Sequence, residues 1–149
     1  MGEGNTVLVI EDETHIGIVV EYNLKRDGFE VYLAEDGTSG LELARKIIPD
    51  VILLDWMLPG MDGLEVLTEL KNDKTTEHIP VFMLTAKGMA SDINRALDLG
   101  ADDYITKPFN PRQLGELINK KLHEPKKVKT RNRYQKAKCK IEELHNFDI

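Results

Sequence analysis

Three side chains far apart in this chain, the carboxyl of Asp55, the hydroxyl of Thr85 and the ammonium of Lys107, each close an apolar run, and the acids Glu11-Asp12-Glu13 follow a fourth. Gathered carboxylates repel one another unless a cation joins them, and hard oxygen donors with retained water suit Mg²⁺, or Mn²⁺ in its place. On that chemistry Asp12 and Asp55 are the natural direct ligands. Glu11 could hold a metal-bound water, and a loop carbonyl just after Asp55 could complete the shell. An aspartate beside such an ion can attack a phosphoryl group and form an acyl phosphate. The metal, Lys107 and Thr85 would then each hold one of the transferred oxygens.

Blander readings stand beside this one. Glu13 and Thr14 read as the ordinary charge and cap of a helix start. Threonine is common at a strand end, and Lys107 alone could be a surface lysine. Taken together, at four strand ends, these residues fit chance placement poorly. Tyr104 reads as a strand aromatic, and Trp56 and Met57 fall in what should be an exposed loop. The histidines, His15, His78, His123 and His145, have no metal-ligand spacing.

The elements that must position these groups alternate along the chain. Apolar, β-branched runs at 6–10, 30–34, 51–54, 79–84 and 103–106 read as strands. Segments with helical spacing at 14–26, 38–48, 64–72, 91–99 and 112–122 read as helices, with Asp27-Gly28, Pro49 and Gly100 as stops. Five strands each followed by a helix predict an α/β fold, a doubly wound five-stranded parallel sheet. In such a sheet ligands bind at the carboxyl ends of the strands, which is where the four groups fall.

Residues 1–124 hold 23 acidic and 12 basic side chains, and residues 125–149 hold 3 and 8. We therefore divide the chain into a domain at 1–124 and a basic linker at 125–149, with separate jobs. The single cysteine, Cys139, cannot form an internal disulfide, and no apolar run approaches the roughly 18 residues of a membrane span. No secretory signal is visible, so a cytoplasmic location without membrane contact is expected. Met1 to Thr6 matches the loose myristoylation pattern, but Thr6 also opens the first strand.

The residues resemble the receiver domain of bacterial two-component response regulators. Four stretches carry the likeness: Val7-Leu8-Val9-Ile10-Glu11-Asp12-Glu13, Asp50 through Gly63, Pro80-Val81-Phe82-Met83-Leu84-Thr85-Ala86, and Gly100 through Phe109. The resemblance implies a (βα)5 flavodoxin-like fold in which Asp55 accepts a phosphoryl group from a sensor histidine kinase or from acetyl phosphate. It implies Mg²⁺ on Asp12, Asp55 and the Met57 carbonyl, with Glu11 acting through water. It further implies that Thr85 moves toward the phosphoryl group, that Tyr104 turns inward, and that Lys107 bridges to it across a cis bond to Pro108. Arg95, Asp102 and Asp103 resemble the charges by which such regulators form homodimers. The family position of Glu11 is often Asp, and Met57 and Lys87 occupy positions that tune dephosphorylation in relatives.

Tyr134, Ala137, Ile141 and Leu144 follow a coiled-coil rhythm over two heptads, and a solvated basic extension is the plain alternative. Nucleic acid is disfavoured as a partner because the basic residues lack interleaved aromatics. The segment Ile141 to Ile149 resembles a signalling helix that leads to a diguanylate cyclase domain, an output domain that would lie outside this chain. A phosphatase using an aspartate nucleophile with Mg²⁺ would want a second acid two residues after Asp55, where Met57 stands. A dinucleotide-binding enzyme would want a glycine-rich turn in place of Glu11-Asp12-Glu13. An interaction module that is never phosphorylated is the remaining alternative. The expected role is a signalling phosphoacceptor whose only chemistry is its own phosphorylation and dephosphorylation.

Overall fold

A computed structural model describes residues 5–86 and 90–123. Five strands, β1 (Thr6–Ile10), β2 (Glu30–Ala34), β3 (Val51–Asp55), β4 (Val81–Ala86) and β5 (Asp103–Lys107), form one sheet in the order β2-β1-β3-β4-β5. Every neighbouring pair is parallel. Parallel neighbours need crossovers, which are α1 (Thr14–Arg26), α2 (Gly37–Ile47), α3 (Gly63–Asn72) and α4 (Ala90–Asp98), while α5 (Pro111–His123) packs back against α1. This is the doubly wound, flavodoxin-like arrangement expected from the alternation of apolar runs.

Strand pleating sorts the core into two layers, since successive side chains point to opposite faces. Leu8, Ile10, Ile52, Leu54, Val81 and Met83 enter the layer covered by α2, α3 and α4. Val7, Val9, Val51, Leu53, Phe82 and Leu84 enter the layer under α1 and α5. Sheets covered on both faces need continuous apolar strands, and β3 is buried at all five positions.

The parity also places Trp56. It was expected in an exposed loop, yet it is 7% exposed and lies in the same layer as Ile52 and Leu54. The period of two continues one step past the strand, so the indole closes the top of that layer while Met57 turns out to 69% exposure.

Element ends depart from expectation where local sterics override periodicity. The fourth strand begins at Val81, not Ile79, although the Pro80 carbonyl still accepts from the Ile52 N–H at 2.9 Å. Glu13 stands at the start of α1 in extended conformation without a side-chain cap, and its carboxylate faces His15 at 3.5 Å instead. The second helix stops at Ile47, one residue before the expected Ile48, because a residue preceding proline is pushed out of the α region.

Ile48 then adopts φ 45°, a left-handed conformation in which a β-branched side chain is strained, and it is 40% exposed. Replacing Ile48 by Gly is expected to raise stability by about 1 kcal/mol. Urea unfolding checks this, and a lower midpoint would contradict it.

At the amino ends of the strands, Lys71 of α3 donates to the carbonyls of Glu77 (3.2 Å) and Ile79 (2.8 Å) and pairs with Asp102 at 3.2 Å. Asp102 also accepts from the Val81 N–H at 2.9 Å. One ammonium thus ties the α3–β4 connection to the entry of β5. Residues 125–149, where a basic linker with a coiled-coil rhythm and a signalling-helix end was expected, lie outside the described residues, as do Lys87 and the first residues of the myristoylation pattern.

Candidate functional site

Register brings the four chemical groups to one rim. Ile10 pairs with Leu54, Asp55 with Leu84, Thr85 with Thr106 and Ala86 with Lys107. The residues that leave β1, β3, β4 and β5 therefore stand at one edge. The chain passes from β1 to the outer β2 and back to β3, so the β1 and β3 ends flank the switch point where open α/β sheets bind ligands.

At that point ligand oxygens of Glu11, Asp12 and Asp55 lie within 4.8 Å of one another. Glu11 and Asp55 are buried and Asp12 is exposed. The Lys107 ammonium donates to Glu11 Oε1 at 2.9 Å and stands 3.2 Å from Asp55 Oδ1. The Met57 N–H donates to the same Asp55 oxygen at 3.3 Å. Lys107 is joined to Pro108 by a cis peptide bond. Three carboxylates face one ammonium, a surplus of negative charge at a half-buried site that a divalent cation would offset.

The titration behaviour follows from this crowding. Burial, and then the hydrogen bond with Asp55, hold the Glu11 carboxyl above the ordinary glutamate range, although Lys107 pulls it down. Burial alone would lower the Lys107 ammonium, but its bond to Glu11 and the charges of Asp55 and Glu11 outweigh that and raise it. A carboxyl whose folded pKa is raised contributes stability that is fully present below its unfolded value and lost as pH climbs through the folded one. Without divalent metal, the stability of wild type relative to Glu11→Gln should therefore fall as pH rises from about 4.5 toward neutrality. Paired urea titrations across that range check it, and a difference that grows with pH would contradict it.

Thr85 is fully buried, and among the described residues its Oγ1 has no hydrogen-bond partner. A buried hydroxyl left unpaired costs about 1–3 kcal/mol, so its place at this rim calls for an explanation such as a role in the chemistry there. Tyr104, on the edge strand β5, is 40% exposed and thus lies outward in this state.

The residues expected on a dimer face are not gathered alike. Arg95 is exposed on α4. Asp103 pairs with Lys121 of α5 within the chain, and Asp102 belongs to the Lys71 network at the opposite rim. Two contributors to the site were given no role in it by the sequence. The buried Trp56 was signalled by its even spacing from Ile52 and Leu54. Gly63 was visible only as a turn residue, and its contact with the Asp55 backbone needs the folded loop.

An open parallel sheet carrying acids, a hydroxyl and an amine at its switch point defines a signalling receiver rather than a dinucleotide binder, and the comparison of sequences agrees. The chain belongs to the response regulator receiver domain family, whose model matches residues 7–119. It is 48% identical over 108 residues to the phosphate regulon transcriptional regulatory protein PhoB of Escherichia coli K12, a match that covers 72% of this chain and 47% of PhoB. PhoB of Klebsiella pneumoniae is 49% identical over the same length. The chain thus spans about half the length of the curated relatives it matches.

Solved structures give the same answer. The chemotaxis response regulator CheY4 of Vibrio cholerae is similar with TM-score 0.74 and 30% identity, over 78% of this chain and 98% of that one. The receiver domain of NtrX from Brucella abortus gives 0.72 and 32%, over 80% and 99%. Among the described residues no helix is long and apolar enough to cross a membrane.

Proposed function

We propose that this receiver takes a phosphoryl group onto Asp55 from the phosphohistidine of a sensor histidine kinase, with Mg²⁺ bound at Asp12, Asp55 and the Met57 carbonyl and Glu11 acting through water. The observation that carries the reading is the meeting of Asp12, Asp55, Glu11 and Lys107 at one point, with carboxylate oxygens within 4.8 Å and the ammonium 3.2 Å from Asp55. The donor set, all hard oxygens with one half-exposed face, fits Mg²⁺ or Mn²⁺. Such an ion supplies charge neutralisation for the incoming phosphoryl oxygens.

The chain's own groups do the rest. An Asp55 oxygen forms the new O–P bond while the donor's N–P bond breaks and its imidazole leaves. Lys107, already charged and held beside Asp55, binds a second phosphoryl oxygen, and the unpaired Thr85 hydroxyl donates to a third. Capture of that hydroxyl gives Thr85 a partner it lacks, which draws β4 toward the site and makes room for Tyr104 to leave its outward position. The surface so changed controls an output domain or partner.

A protein donor is supported by α1, where Ile18, Val19 and Tyr22 are exposed beside an apolar cleft of about 400 Å³. That cleft is lined by Pro108 and Phe109 and shares Lys107 with the site. We place the histidine kinase there. In the phosphorylated state chains pair through α4 and β5, where Arg95, Leu99 and Tyr104 are exposed. Light scattering before and after phosphorylation checks this, with a doubling of mass expected and an unchanged mass counting against it.

The test of the central reading is intact-mass measurement of the full chain after acetyl phosphate, with Mg²⁺ or with a chelator in excess. One phosphoryl group should be gained with the metal and none without it. A chain that gains none in either arm would be the phosphorylation-independent interaction module instead. Met57, where a phosphatase would place its second acid, argues against turnover of other phosphoesters.

A further inference from the structure

Gly63, the first residue of α3, lies against the backbone of the site with no room for a side chain. A Cβ there would come 2.5 Å from the Asp55 carbonyl oxygen, 2.8 Å from Trp56 Cα and 2.9 Å from the Trp56 carbonyl oxygen. Such distances do not occur between a real Cβ and backbone atoms, so one chain segment would have to shift. The glycine is not there for conformational freedom. Among the described glycines only Gly28, Gly60 and Gly100 have positive φ.

Its N–H donates to the Trp56 carbonyl at 2.9 Å, and on the other end of that same peptide unit the Met57 N–H donates to Asp55 Oδ1 at 3.3 Å. A planar peptide held at both its oxygen and its hydrogen cannot rotate freely. Its orientation is therefore set by Gly63 on one side and read by the Asp55 carboxylate on the other. Asp62 anchors the approach as the cap of α3, accepting from the Glu65 N–H at 2.9 Å. Gly37 of α2 also packs on this segment, since a Cβ there would come 2.7 Å from Val66 Cγ2 of α3 and 3.1 Å from both Met61 Cβ and the Met61 carbonyl oxygen, so α2 presses on the loop and on the start of α3 together.

We propose that Gly63, supported by Gly37, is a positioning residue of the metal and phosphoacceptor site: its contact with the Asp55–Trp56 backbone fixes the peptide that orients the Asp55 carboxylate and leads into the Met57 carbonyl. The part concerning the metal rests on the Mg²⁺ reading above. A carbonyl ligand cannot be removed by changing its own side chain, so the residue that holds its peptide is the accessible handle. Groups that support metal ligands from outside typically weaken affinity about 10- to 100-fold when altered.

The experiment is calorimetric titration of the full chain with Mg²⁺, using wild type, Gly63→Ala, Gly37→Ala and Lys71→Met, each first shown to be folded by circular dichroism. Lys71→Met removes the cation that faces the largely buried Asp102 carboxylate at the far rim, leaving it the Val81 N–H, and so lowers the melting temperature without touching the loop. Gly63→Ala is expected to weaken Mg²⁺ binding about tenfold or more, Gly37→Ala by a smaller factor, and Lys71→Met not at all. Wild-type affinity in Gly63→Ala, or an equal loss in Lys71→Met, would overturn the proposal. Should Gly63→Ala fail to fold, Gly37→Ala decides: weakened binding supports the assignment and unchanged binding removes it. A wild type that takes up no Mg²⁺ would remove the metal reading first, and the positioning role with it.

Discussion

Asp55→Asn will gain no phosphoryl group from acetyl phosphate and Mg²⁺ under conditions that label the wild-type chain fully. The amide has no anionic oxygen to form the acyl phosphate, and no other acid takes its place by geometry. Glu11 is buried with its carboxyl bound to Lys107, and Asp12 stands exposed at the rim. The substitution is close to isosteric, and the surplus of negative charge at the site falls by one, so the metal-free variant should remain folded. Intact mass under identical conditions checks this. A gain retained in the variant would move the acceptor to another residue and end the assignment.

Lys107→Met will slow phosphoryl uptake about 100-fold or more, the usual effect of losing one donor that stabilises a developing oxyanion. The same change removes the cation that competes with a metal for Glu11 and Asp55. Its ammonium lies 2.9 Å from one and 3.2 Å from the other. Magnesium binding should therefore be kept or strengthened while the phosphoryl rate collapses. That split separates a lysine acting on the reaction from one that merely holds the site together, since a structural role would weaken both. Single-turnover labelling with acetyl phosphate, read beside calorimetric Mg²⁺ titration, measures the two quantities. A loss of metal affinity with the rate unchanged would make Lys107 a structural residue and not a participant in the transfer.

These two variants and Gly63→Ala probe different links of one arrangement. Asp55 is the proposed acceptor, Lys107 is the charge beside it, and Gly63 carries no chemistry but donates to the peptide whose N–H meets the Asp55 carboxylate. The burial of Glu11 beside Asp55 adds a pH dependence, because the acid keeps its proton to higher pH than a free glutamate.

Much of this was legible in the residues themselves. Apolar runs of strand length alternating with helical spacing leave few topologies open, because parallel strands must be joined by crossovers of one hand. Once the strands are parallel their carboxyl ends share one edge, so Asp55, Thr85, Lys107 and the acids after the first strand had to fall along that edge. Chain order alone does not give the lateral order β2-β1-β3-β4-β5, nor which strand ends flank the switch point. Those depend on how side chains pack between layers.

Local detail depended on packing too. Trp56 reads as a loop aromatic until the parity of Ile52 and Leu54 is carried one residue beyond the strand into a covered layer. Asp102 reads as a surface charge beside Asp103 until Lys71, thirty-one residues away, is brought to it. Gly63 reads as a turn glycine until the backbone of Asp55 is laid against it. The sequence by itself determined the chemical groups, the alternation of elements and the edge on which the groups meet, because these follow from residue type and from periods of two and 3.6 along the chain. Only the tertiary structure decided distances, burial and the hold on the Trp56–Met57 peptide, because these arise between segments whose separation along the chain carries no information about their contact in space.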